Sequence, residues 1–88
     1  MPVKFSFIGI DPSTEANGSP TVWVDRDTSE LVIQGWRADE ETTAMCESFE
    51  VPGHAVGVPA HETVVRIPAR MVPILREACD VAERGELR

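Results

Sequence analysis

The stretch Ser19–Trp36, SPTVWVDRDTSELVIQGW, decides the fold. In an extended chain Val22 and Val24 point to one side, and Thr21, Trp23 and Asp25 to the other. Further on, Leu31, Ile33 and Gly35 share a face opposite Val32, Gln34 and Trp36. Between the two runs lies DRDTSE, which is polar and rich in turn formers. This is a β-hairpin pattern with a loop longer than two residues. A lone hairpin is marginal in water, so further strands are expected beside it. The two tryptophans, Trp23 and Trp36, are expected to pack on the sheet; the alternative is an exposed recognition site.

Working outward, KFSFIGI (residues 4–10) reads as a first strand. Phe5 and Phe7 share one face, and Ser6, Ile8 and Ile10 the other. DPSTEANGSP (residues 11–20) reads as a loop, because Asp-Pro and Asn-Gly each start turns. Asp11 is expected to form an Asx-turn. The alternate oxygens of Asp11, Ser13 and Glu15 resemble a calcium loop only superficially, because Pro12 intervenes and the later Gly and bidentate Glu are missing. The Asn17-Gly-Ser sequon reads as a turn. ETVVRIP (residues 62–68) is the last strand, and Pro68 ends it because it has no N–H to donate.

A short helix or irregular excursion, and then a final helix, are expected. ADEETTAMCESFE (residues 38–50) holds five acids and no base, with Met45, Phe49 and Cys46 at helical spacing. It predicts a short helix or irregular excursion capped near Asp39. VPGHAVGVPAHE (residues 51–62) is a loop, with HAVGV a candidate edge strand. RMVPILREACDVAERGE (residues 70–86) is the final helix. Its apolar stripe is Met71, Leu75, Ala78 and Ala82, widened by Val72 and Cys79. Pro73 suits the first turn and Gly85 the stop. The fold class is therefore α+β: a small, mostly antiparallel sheet of three to four strands with the C-terminal helix packed on one face, in a single domain spanning residues 1–88.

Length and charge narrow the function. A chain of 88 residues buries only about 60–65% of its unfolded surface, so its core is limited. The net charge is −7, and all of it lies in residues 1–50, with ten acids and three bases; residues 51–88 carry five of each. That disfavours attachment to phosphate backbones, so no direct nucleic-acid contact is expected. Arg66, Arg70, Arg76 and Arg84 form the only basic series, interleaved with acids. Nothing approaches the roughly 20 apolar residues of a membrane span. Two cysteines without dense spacing, and no signal peptide, point to a reducing cytoplasm.

Chemistry is sparse. Cys46, His54, His61 and Cys79 are zinc-ligand types, but no Cys-x-x-Cys pairs them, and each cysteine reads as core or half-buried. A nucleophile–base arrangement needs a Cys beside a His; His61-Glu62 supplies a base and a neighbour only in sequence. There is no nucleophile elbow and no phosphate loop, so no catalytic residue and no cofactor is assigned. The acidic run reads as a solvated face or as a patch for a basic partner. The candidate partner-binding set is Asp39, Glu40, Glu41, Glu47 and Glu50, with Trp36 and Phe49 as apolar neighbours.

The segments FIGIDPSTEANGSPTVWVD (residues 7–25), LVIQGW (31–36) and ETVVRIPARMVPIL (62–75) resemble a group of small uncharacterised actinobacterial proteins, of the Streptomyces type. The resemblance covers nearly the whole chain. It implies an accessory protein encoded beside helix-turn-helix regulators, and carries over no ligand and no active residue. The expected function is protein–protein interaction in transcriptional regulation, with a basic helix-turn-helix regulator as partner. Homodimerisation through the acidic run is disfavoured by like charge, although an edge strand is free to pair. The alternative class is a small-molecule- or metal-binding module, enzymes included.

Overall fold

The computed structural model describes residues 4–13 and 18–85; Glu15, the Asn17 turn and the last residues of the helical run lie outside them. In chain order the elements are β1 (Phe5–Ile10), β2 (Thr21–Asp25), β3 (Leu31–Gln34), β4 (Trp36–Arg37), α1 (Glu40–Ser48), β5 (Val65–Arg66), a 3-10 turn (Ala69–Met71) and α2 (Val72–Glu83). The α+β class holds: a three-stranded antiparallel sheet, ordered β1-β2-β3, with a second sheet of β4 and β5. The chain divides into two compact units, Trp36–Arg66 forming one and the residues on either side of it the other.

In the larger unit the hairpin reading holds. β2 pairs with β3 from Thr21↔Gln34 to Val24↔Leu31. Val22 and Val24 face inward, and Trp23 faces outward. The Asp25 carboxylate organises the intervening loop. Its Oδ1 accepts the Asp27 N–H at 2.8 Å and the Thr28 N–H at 3.3 Å. These bonds, the Asp27 N–H first, hold the carboxyl below the usual range against the opposing cost of burial; Lys4, 3.5 Å away, adds to them. Ser29 takes up the left-handed backbone (φ 63°) that closes the loop.

β1 departs from simple alternation. Phe7 pairs with Trp23, but Gly9 pairs with Val22, so Ile8 is an extra residue and the strand bulges there. A bulge reverses facing beyond it. Ile8 still packs on the core, but Ile10, paired with Thr21, emerges on the outer face with Phe7. The expected grouping of Ser6, Ile8 and Ile10 on one face is thereby corrected. Gly9 turns toward α2 instead, where a methyl group would sit 2.9 Å from Ile74 Cγ2.

α2 covers the inner face and packs on all three strands. The buried core is Val22, Val24, Met71 and Ala78, with Ile74, Leu75, Val81 and Ala82 packed against it. Val72 and Cys79, expected to widen the buried stripe, are exposed. The stripe is centred on Ala78 and runs through Ile74 and Val81, which turns Val72 and Cys79 outward. The chain enters α2 through the 3-10 turn, with Pro68 as its N-cap and Pro73 in the first turn of α2.

A second lock lies at the end of β1. Arg70 Nε donates to Asp11 Oδ1 at 2.7 Å, and Arg70 Nη2 to Oδ2 at 2.8 Å. The Asp11 side chain is fully buried. The expected Asx-turn is also present, the Ser13 N–H reaching Asp11 Oδ1 at 3.1 Å. The two-pronged bond raises the Arg70 pKa against the cost of desolvation.

The last strand is shorter than expected. Of residues 62–68 only Val65–Arg66 form a strand, and they pair with Trp36–Arg37 rather than join the main sheet. The HAVGV segment forms no strand.

Gly9→Ala is expected to destabilise the protein by about 1–3 kcal/mol through overpacking against Ile74. In an Ile74→Ala background most of that cost should vanish. Urea melts of the four proteins in this cycle check the coupling; additive losses would contradict the close approach.

Candidate functional site

The unit Trp36–Arg66 is built with little to bury. No residue in it is buried; Ala38, Thr42, Thr43, Val58 and Val64 are the most covered, each only in part. β4 and β5 close it, Trp36 opposite Arg66 and Arg37 opposite Val65. Arg66 Nη1 donates to Thr42 Oγ1 at 3.0 Å, tying β5 to α1.

α1 forms because its start is well made. Asp39 is the N-cap, and its Oδ1 accepts the Thr42 N–H at 2.8 Å. Glu40 and Glu41 follow in the first turn, where negative charge meets the positive end of the helix dipole. The expected cap at Asp39 is therefore correct. The end of α1 is different: its last turn holds no base, and Glu47 and Glu50 stand at the negative pole. Local helix physics accounts for Asp39, Glu40 and Glu41 but runs against Glu47 and Glu50.

The apolar side chains here face water. Met45 is 67% exposed, Phe49 70% and Trp36 45%. Val51, Val56 and Val65 are also exposed. Trp36, expected to pack on the sheet or to serve recognition, is thus available for the second role. Met45, Val51 and Val56 belong to the same exposed set; the sequence reading takes Met45 only as part of a helical spacing and does not single out the two valines. A signal for Met45 existed: with Phe49 and Cys46 it makes a stripe narrower than that of a core-facing helix.

Cys46, Phe49, Val51, His54, Ala55 and Gly57 line a surface hollow of about 390 Å³. A second hollow, of about 340 Å³, lies between Arg37, Glu47 and Glu62. The ligand-type residues do not converge. Cys46 and His54 share the first hollow; Cys79 belongs to the other unit, on α2. Among the described residues no three His, Cys, Asp or Glu side chains are placed to hold a metal. Both cysteines are free and exposed, correcting the expectation of core or half-buried positions. α1 offers no core to bury Cys46, and Cys79 falls outside the stripe of α2. His61 Nε2 lies 3.7 Å from Glu62 Oε2 with both side chains open to solvent. In the basic series, Arg66 bonds Thr42 and Arg70 is committed to Asp11. Among the described residues, no helix is long and apolar enough to cross a membrane.

The N-cap makes α1 sensitive to acid. Hydrogen bonds from Thr42, its backbone N–H first, hold the Asp39 carboxyl below its usual range, with a smaller contribution from the Arg66 charge. A depressed folded-state pKa gives a contribution that is full above the ordinary carboxylate value and lost as pH falls through the depressed one. The Cα shifts of residues 40–48 should therefore move toward coil on acidification. In Asp39→Asn, which caps without ionising, this dependence should be much reduced. An unchanged titration in the variant would contradict the capping role.

Compared with protein-family models, curated proteins and solved structures, the chain matches none, so the reading of residues 36–66 rests on their own geometry.

Proposed function

We propose that this protein is a protein-interaction module whose binding element is Trp36–Arg66, and that its partner is basic. One observation carries the reading: a 31-residue unit with no buried residue displays Trp36, Met45 and Phe49 to water. Ordering a chain costs conformational entropy that burial normally offsets. A unit that keeps its large apolar side chains exposed gains that burial from another molecule. Trp36, Met45 and Phe49 supply the desolvated centre of such an interface, and the carboxylates its rim.

Charge specifies the partner. The unit holds six acids against two arginines, a net −4 with histidines neutral. Glu47 and Glu50, which α1 does not need and which oppose its dipole, are the acids best explained by a complementary surface. Such a field speeds encounter and rejects acidic competitors. The resemblance to proteins encoded beside helix-turn-helix regulators supplies the partner class: a basic regulator, met in the cytoplasm, with this chain acting as an accessory in transcriptional control.

Glu47→Lys plus Glu50→Lys separates binding from folding. Bases at the end of a helix favour its dipole, so helicity should be kept or increased. Capture of a basic partner from native extract at low salt should be lost, as it should with Phe49→Ala. A partner retained by both variants and insensitive to salt would overturn the proposal.

A further inference from the structure

The hollow between Arg37, Glu47 and Glu62 is the most sheltered place in the unit Trp36–Arg66. Five residues of that unit are partly covered, and four of them, Ala38, Thr43, Val58 and Val64, line it. Three segments meet there. β4 brings Arg37, and just beyond it the Ala38 N–H donates to the Val64 carbonyl at 3.4 Å. α1 brings Thr43 and Glu47, which lie four residues apart and so share one face of the helix. The chain from Val58 to Val64 brings the rest, turned where the Glu62 N–H donates to the Pro59 carbonyl at 2.9 Å. The hollow thus combines small apolar side chains with three charged ones.

Those charges are uncommitted. Among the described residues the Arg37 and Glu47 side chains enter no ion pair and no hydrogen bond, with each other or elsewhere. The Glu62 carboxylate meets only His61, 3.7 Å away and open to solvent. In the larger unit the comparable groups are engaged, Arg70 by Asp11 and Asp25 by Lys4. A concave, largely apolar surface with a few polar groups left to fix orientation is the usual form of a small-molecule site.

We propose that this hollow binds a dibasic amino acid, a molecule with one carboxylate and two cationic groups on an aliphatic stem. The charge pattern sets the class. One guanidinium against two carboxylates leaves the site at a net −1, and a dibasic amino acid answers it group for group with the signs reversed. Arg37 offers the planar fork that takes a carboxylate in two parallel bonds. Glu47 and Glu62 take the cationic groups, and Val58, Pro59 and Ala60 the stem. Other classes fit less well. Two carboxylates repel a phosphate-bearing ligand, a diamine leaves Arg37 unanswered, and a neutral apolar molecule desolvates all three charges without pairing them. Size agrees: the hollow, about 340 Å³, stands at the lower end of small-ligand sites, roughly 300–1,000 Å³, which suits an amino acid better than a nucleotide. The charged groups are open to water, so salt screens them and the dissociation constant falls near about 1 mM. Glu47 is shared with the protein interface proposed above, but Trp36, Met45 and Phe49 do not line this hollow.

Amide shifts of the full chain, followed at low salt as L-lysine is added to about 20 mM, test this. The amides of Ala38, Thr43 and residues 60–64 should shift and saturate, and those of β2 should stay in place. Cadaverine, which lacks the carboxylate, and 6-aminohexanoate, which lacks the α-amino group, should each bind at least about fivefold more weakly. In Arg37→Gln lysine should fall to the level of cadaverine, while cadaverine binds no more weakly than before. In Glu62→Gln both should weaken. Phe49→Ala should keep lysine binding while losing capture of a basic protein, so this proposal and the previous one fail separately. Shifts that do not saturate, that sodium chloride at equal ionic strength reproduces, or that are alike for lysine and cadaverine would overturn the proposal. So would a lysine response intact in both Arg37→Gln and Glu62→Gln. The ligand series on the unaltered chain decides the matter even where a variant does not fold.

Discussion

Everything in the larger unit depends on how closely α2 seats against the sheet. That approach is possible because residue 9 has no side chain and because β1 bulges at Ile8 to aim it at Ile74. The same displacement sends Ile10 to the outer face. One added residue in one strand therefore sets both the tightness of the core and the apolar character of the opposite surface. Met71 and Val22, the largest fully buried side chains, are both in the layer this contact closes.

The Asp11–Arg70 bond belongs to the same seam. It joins the end of β1 to the turn that starts α2, 59 residues further along the chain. Taking a carboxylate out of water is costly, and a two-pronged arginine recovers much of that cost without a large net gain. Its clearer effect is geometric: it aligns the entry to α2 with the strand whose glycine α2 must meet. Residues 36–66, by contrast, contain no buried residue, and Met45 and Phe49 there stay exposed.

Much of the larger unit was legible. The hairpin, its inward valines and the final helix all follow from period and turn chemistry, as does the cap at Asp39 in the other unit. The bulge was not, because strict alternation through Ile10 looks as plausible as a break at Ile8 until α2 is in place. The Asp11–Arg70 pair was hidden by sequence distance. For α1 the pattern was ambiguous, since Met45 and Phe49 at helical spacing suggest a buried side that the surrounding residues never provide. The acidic residues were visible as a cluster, but only their positions along α1 separate those serving the helix from Glu47 and Glu50, which oppose it.

The central claim is that stability resides in the unit formed by the sheet and α2, while Trp36–Arg66 awaits burial from outside. Amide hydrogen exchange on the isolated chain reads this residue by residue. Amides of β2 and of the middle of α2 should open only with global unfolding, and those of α1 should exchange far faster, through local opening. Protection across residues 40–48 equal to that of β2 would contradict the claim.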